Sequence, residues 1–266
     1  MQVFWIKIDK IKYRDLFEKI VKLETQNIVF TPNPEILLKT LKDKEFESLI
    51  NKATYNTSDW IGLYIAYQII DNNYNKFINI SLLPYFFFNL FFRRKFLYEK
   101  YGERICGSDL TKDLVEYSEK NNIKVTIIDL YNPTDSKKVE SQKVFSTLLK
   151  NKFNNLEFDY YIYEPSKKNE IIESIKNNNS KIIFSTLWMK RQEESVIEIM
   201  QACQNIKIWL GIGSSFDYFI WFQKRAPKLW RKLWVEWLYR LLTWPRKIVG
   251  IIHGALFIFY VIKYKK

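Results

Sequence analysis

The sequence predicts an α/β protein: a Rossmann-like layered domain with a mostly parallel sheet, followed by a basic, amphipathic helical membrane-binding appendage. Three observations carry this. Apolar runs rich in β-branched and aromatic residues at 124–130, 158–163, 181–186 and 207–212 alternate with helical stretches at about 136–150, 166–178 and 190–203, the signature of strand–helix–strand units. A further short run, Asn27–Phe30, stops at Thr31-Pro32-Asn33-Pro34-Glu35, where two prolines end a strand and Asn33 ahead of Pro34 starts a helix. After Pro227 the pattern turns helical, with Trp230, Trp234, Trp237, Leu238, Leu241 and Leu242 on one face and Lys228, Arg231, Lys232 and Glu236 elsewhere. The core is drawn at 1–222, with an aromatic insert near 72–102, and the appendage with its apolar tail at 223–266.

In order, the strand at 27–30 leads into the Thr31–Glu35 turn. Such a turn presents free backbone N–H groups to an anion or polar ligand, or is simply a strand-to-helix connection. Residues 36–50 read as one helix, then Tyr55-Asn56-Thr57-Ser58 as a polar turn. Asp59 next caps the helix running to Ile70 or is a functional carboxylate at that turn. In the insert, Phe86, Phe87, Phe88, Phe91 and Phe92 stand beside Arg93-Arg94-Lys95, either core with a solvated edge or an aromatic segment at a lipid interface. Ser108 or Asp109 caps a helix to about Lys120. In a parallel sheet, ligands gather at the carboxyl ends of the strands, where Thr31–Glu35, Gln192-Glu193 and Gly211–Asp217 could converge.

Composition narrows the partners. The 266 residues carry a net charge of +13, so an anionic partner is indicated: a diphosphate substrate, anionic lipid or nucleic acid. Eight basic residues against one acidic lie between Lys224 and Lys247, beside the apolar run Ile248–Ile262. That neighbourhood suits lipid better than a duplex; the competing reading is a core-packed helix with a solvated basic face. The tail would rise about 23 Å as a helix, short of the ~30 Å hydrocarbon core, so it is expected to lie in or dip into a membrane rather than span it, and not to pack easily against a finished domain. The start shows no signal-peptide pattern. Cys106 and Cys203 are far apart and read as free thiols in a reducing compartment.

The chemistry available is limited. His253 is the single histidine and sits in the apolar tail, which excludes Ser–His, Cys–His and His-metal catalysis. The sequence holds no Asp-x-Asp pair, and no complete phosphate-loop motif. By elimination, a catalyst here uses a carboxylate as base, with arginines or helix N-termini clamping a leaving diphosphate.

Several motifs resemble the WecG/TagA/CpsF glycosyltransferases of bacterial cell-surface polymer synthesis. They are Thr31-Pro32-Asn33-Pro34-Glu35, Asp59-Trp60-Ile61-Gly62, Glu103-Arg104-Ile105-Cys106-Gly107-Ser108-Asp109-Leu110, Gln192-Glu193, Gly211–Asp217, Lys224-Arg225-Ala226-Pro227, Glu236-Trp237-Leu238-Tyr239-Arg240 and Pro245-Arg246. The likeness covers about 2–247, leaving out the insert and the final tail.

It implies an inverting, metal-independent transferase that moves an N-acetylhexosamine or related sugar from a UDP-sugar to a polyprenyl-diphosphate-linked acceptor. Asp59 would be the general base. Thr31 and Asn33 would line the sugar and acceptor pocket, Arg104 and Gln192 would contact substrate, and Arg240 and Arg246 would close over the diphosphate. No cofactor or metal is implied. The expected partners are the two substrates and an anionic membrane surface at the cytoplasmic face, with no nucleic acid; self-association stays open. The alternative is a diverged, non-catalytic scaffold of the same family. Trp60 stands where the pattern has glycine, and Asp129–Pro133 and Leu187–Arg191 lack the family's glycines.

Overall fold

The computed structural model describes residues 1–72, 74–130, 145–213, 215–216, 226–227, 229–230, 236–243 and 248–264. Strands β1 (Gln2–Val3) and β2 (Ile6–Lys7) form an antiparallel hairpin. Phe4 and Trp5 at its tip both lie in the left-handed region, with φ of 49° and 67°, a conformation bulky residues rarely adopt. Their side chains supply the compensation. The Phe4 ring meets Phe257 edge-on at 5.4 Å, and Lys44 Nζ sits 4.1 Å over the Trp5 ring.

The main sheet comprises β3 (Asn27–Phe30), β4 (Tyr55–Asn56), β5 (Val125–Leu130), β6 (Phe158–Tyr163), β7 (Ile182–Ser185) and β8 (Ile208–Gly211). They lie in the order β4-β3-β8-β7-β5-β6, and every neighbouring pair is parallel. All six therefore point their carboxyl ends at one edge.

Helices cover both faces, as parallel pairing demands. One layer holds α2 (Pro34–Thr40), α3 (Lys44–Asn51), α4 (Gly62–Asp71), α6 (Leu83–Phe92), α7 (Arg94–Tyr101), α10 (Lys168–Asn177) and α11 (Arg191–Ala202); it packs on Phe30, Ile128, Ile183 and Trp209. The other holds α1 (Tyr13–Ile20), α8 (Gly107–Lys120) and α9 (145–152), packed on Val29, Val125, Ile127, Ile182, Phe184, Ile208 and Leu210. Alternate strand residues serve opposite layers, as the two-residue period of a strand requires. Three further helices are α5 (Lys76–Ser81), α12 (Glu236–Thr243) and α13 (Ile248–Tyr264).

The five strand runs fall within a residue of their expected limits. Four expectations are corrected. The helix at 36–50 is two, because the Asp43 carboxylate accepts from Phe46 N at 2.9 Å and starts α3 afresh. The turn at 55–58 opens as the edge strand β4, whose Asn56 N donates to Asp9. Helix α8 begins at Gly107 with Cys106 ahead of it, so neither Ser108 nor Asp109 is its cap, and Asp109 sits in the first turn. Finally, the tail does pack against the domain. Helix α13 rests on α2, α4 and α5, burying Phe257 and Val261 in the first core, worth about 2 kcal/mol for each such side chain.

Residues 231–235 of the expected tryptophan helix, 136–144 of the expected α9, and Asp217, Lys224 and Arg225 lie outside the described residues. No helix among the described residues is long and apolar enough to cross a membrane.

Candidate active site

The site grows from the carboxyl ends of β3 and β4. Phe30 ends β3, Pro34 stands in the first turn of α2, and Asn33 Oδ1 accepts from Ile36 N at 3.0 Å. Asn33 is thus an N-cap that holds the turn in shape. Thr31 lies over the start of α8, where a Cβ on Gly107 would come 3.2 Å from Thr31 Oγ1. The glycine lets strand end and helix start approach this closely.

Beyond β4 the chain continues the pairing, with Thr57 N donating to Phe30 O at 2.9 Å and Ile105 N donating to Ser58 O at 2.9 Å. The Ser58 and Tyr67 hydroxyls share a 2.5 Å hydrogen bond, and Tyr64 donates to Gly102 O at 3.0 Å. Helix α4 therefore braces both loops. Asp59 falls next, and it does not cap: α4 begins at Gly62 with no side-chain cap.

The Asp59 carboxylate faces Arg104 instead. Arg104 Nε donates to Asp59 O at 2.6 Å, and Nη2 stands 3.6 Å from Asp59 Oδ1 and 3.9 Å from Glu236 Oε2. The guanidinium is largely buried. Burial opposes its charge, but Asp59 first, with Cys106 and Glu236 adding to it, outweighs that and raises its pKa above the ordinary arginine value. Asp59 itself is about a third exposed, at 32% of its side chain, so it remains within reach of a ligand. Beside it the Cys106 thiol is pushed up to about 11 by burial and then by the Asp59 charge.

Gln192, at the start of α11, lies against the end of β8: a Cβ on Gly211 would meet its amide at 2.1 Å. In the orientation that satisfies its neighbours, the amide nitrogen donates to Ser185 O at 3.1 Å and Leu187 O at 3.3 Å. Glu193 is buried, and its carboxylate accepts from Lys190 N at 2.6 Å. Lys190 takes φ of 78° and ties its ammonium to Asp43 at 3.0 Å and Glu45 at 3.4 Å. Further along the same edge, Asp129 accepts from Tyr160 at 2.7 Å and from Thr186.

The fold thus brings Thr31, Asn33, Asp59, Arg104 and Gln192 to one edge of the sheet. Arg240 falls on α12, one turn after Glu236; its side chain, like the whole of Arg246, lies outside the described residues. Glu236, placed by the sequence off the apolar face and inside the Glu236–Arg240 motif, was given no role in the site. It is buried and aimed at Arg104, and its signal was the single acid among eight bases. Among the described residues no group of three or more His, Cys, Asp or Glu side chains is arranged to hold a metal.

The family model for the glycosyl transferase WecG/TagA/CpsF family matches residues 1–89 and 89–266. The chain belongs to the WecG/TagA/CpsF family. The match runs through the aromatic helices and the tail, further than the motifs alone extend, and its two segments meet at Asn89 inside α6. As a WecG/TagA/CpsF glycosyltransferase, the protein carries Trp60 directly after Asp59. Its indole fills the space over Gly62, where a Cβ would meet ring carbons at 1.9 Å, and stands edge-on to Phe257 with centroids 5.3 Å apart. In this WecG/TagA/CpsF member the residue after Asp59 therefore ties the site loop to the C-terminal helix.

Proposed function

We propose that this glycosyltransferase moves an N-acetylhexosamine or related sugar from a UDP-sugar to a polyprenyl-diphosphate-linked sugar, at the cytoplasmic face of a bacterial membrane, in cell-surface polysaccharide synthesis. The observation that carries the reading is Asp59 at the carboxyl edge of the sheet, partly exposed and held by Arg104.

In this reading Asp59 takes the proton of the acceptor hydroxyl as that oxygen bonds to the anomeric carbon. The bond from that carbon to the diphosphate oxygen breaks, its electron pair leaves with UDP, and the configuration inverts. Arg104, sandwiched between Asp59 and Glu236, orients the base more directly than it reaches substrate. Thr31, Asn33 and Gln192 line the sugar and acceptor pocket. Arg240 and Arg246 supply the cationic clamp on the departing diphosphate. The step calls for no cofactor.

The test is transfer by the full chain in nanodiscs, with a panel of UDP-sugars and a polyprenyl-diphosphate-GlcNAc acceptor, reading UDP release and the lengthened lipid. One donor should give acceptor-dependent product, and Asp59→Asn should cut turnover by about 10²–10⁴-fold while UDP still binds. Near-parental turnover by folded Asp59→Asn would remove the base assignment. Absence of UDP binding by calorimetry would favour the non-catalytic scaffold.

A further inference from the structure

Two helices of the aromatic insert, α5 and α6, have outer faces that lack the charges a solvated helix carries, Lys76 at the start of α5 excepted. On α6, Phe86, Asn89 and Leu90 turn inward, while Pro84, Tyr85, Phe87, Phe88, Phe91 and Phe92 are exposed, and the helix holds no charged residue. Phe92 is 74% exposed and stacks on Phe88 with centroids 4.6 Å apart. Neighbouring α5 exposes Phe77, at 70%, with Ile78 and Ile80. Helix α13, packed on α5, turns Phe257 and Val261 inward and Ile248, Val249, Ile252, Leu256 and Phe259 outward. It has no Asp, Glu, Lys or Arg before Lys263.

Exposed apolar surface on this scale, over three helices that touch in series, marks an interaction site. The charge around it identifies the occupant. Lys76, Arg93, Lys95 and Lys263 stand at the helix ends, with Arg93 4.9 Å over Phe96 and Lys263 5.3 Å over Tyr264. Aromatic side chains with basic residues at their margins match the boundary of an anionic bilayer. A second copy would bring the same positive rim against this one. The 17 residues of α13 rise about 26 Å, short of the hydrocarbon core, and its inner face is already committed to α2 and α4. Its length and packing suit a helix that lies along a bilayer rather than through it.

We propose that the outer faces of α5, α6 and α13 form one docking surface that seats the protein on an anionic membrane, aromatic rings at the acyl boundary and lysines and arginines among the headgroups. This deepens the membrane placement in the proposed function and is independent of the transfer chemistry.

The test is flotation of the full chain with phosphatidylethanolamine–phosphatidylglycerol vesicles and with phosphatidylcholine vesicles, for the parent and for Phe88→Asp combined with Phe92→Asp. Both positions are exposed, so the unfolding midpoint should hold. The parent should float with the anionic vesicles, and the variant's apparent affinity should fall about tenfold or more. Transfer to a water-soluble short-chain acceptor should be equal in both proteins. Loss of flotation with no transfer by either protein would sink the catalytic reading alone. Equal flotation of parent and variant would overturn the docking surface. So would light scattering that shows a parent dimer turned monomer by the variant with flotation unchanged, since the face would then be an interface between copies.

Discussion

The Trp60 indole occupies the space that a side chain at Gly254 would need: a Cβ there would stand 2.9 Å from Trp60 Cζ2. Helix α13 thus meets the loop carrying Asp59 through one ring set against one bare backbone position. Gly254→Val should overpack this contact and cost about 1–3 kcal/mol, seen as a lower thermal midpoint. Gly250, on the same helix, has nothing within 4 Å of its added Cβ. Gly250→Ala should therefore hold or raise the midpoint, its gain in stability being up to about 1 kcal/mol, as helix propensity alone dictates. Equal effects at the two glycines would show that the indole contact contributes nothing.

Arg104 joins three groups at once, so its replacement should do more than remove a charge. Arg104→Lys keeps the charge but loses the forked donor that holds Asp59 O. Turnover should fall about tenfold or more, with UDP affinity close to parental. Glu236→Gln should have a smaller effect in the same direction, because the 3.9 Å contact is the longer of the two. Steady-state kinetics beside UDP calorimetry reads both. An affinity loss with unchanged turnover would return Arg104 to direct substrate contact.

Burial raises the Glu193 carboxyl above its ordinary value of 4.5, the hydrogen bonds it accepts offsetting this only in part. A raised acid binds its proton more tightly folded than unfolded. Its contribution to stability is present below the unfolded value and is lost as pH climbs from about 4.5 through the raised folded value. Glu193→Gln removes that loss. The variant's midpoint should gain on the parent's as pH rises from about 4.5 to 7, and a constant difference across that range would contradict it.

With its thiol pushed up to about 11 by burial and Asp59, Cys106 holds about a thousandth of its population as thiolate at pH 8. Native protein should react slowly with iodoacetamide at that pH, and both free cysteines should label at once after denaturation. Asp59→Asn removes the repelling charge and should speed Cys106 labelling, which makes this thiol a reporter on the Asp59 charge. Unchanged labelling would mean that burial alone governs it.

How far the sequence carries depends on distance along the chain. β3, β5, β7 and β8 were legible because each is a short, mostly buried run, nearly continuous in apolar residues, and the half-buried edge strand β6 because it is rich in aromatic residues. Helices α2 and α3 merged in the reading because no glycine or proline stands between Ile36 and Ile50, and the capping bond that separates them is a single side-chain choice. Asp59 kept two readings until Arg104, far along the chain, came to face it. Trp60 appeared as a departure from the family pattern and nothing more, since its partners Gly254 and Phe257 arrive only with the last helix. Glu236 stayed hidden because one acid among many bases resembles a solvated face until its burial is seen.

The contact between Phe4 and Phe257 sets a schedule for the living cell. The tip of the first hairpin waits for a ring made near the opposite end of the chain, and the core shared by Phe4, Trp60 and Phe257 stays open until residues as far as Val261 have left the ribosome. The second core, built from α1, α8, α9 and the sheet, needs residues only as far as Phe216. During synthesis the first core should therefore close after the second, and the core that closes last is the one beneath the aromatic helices.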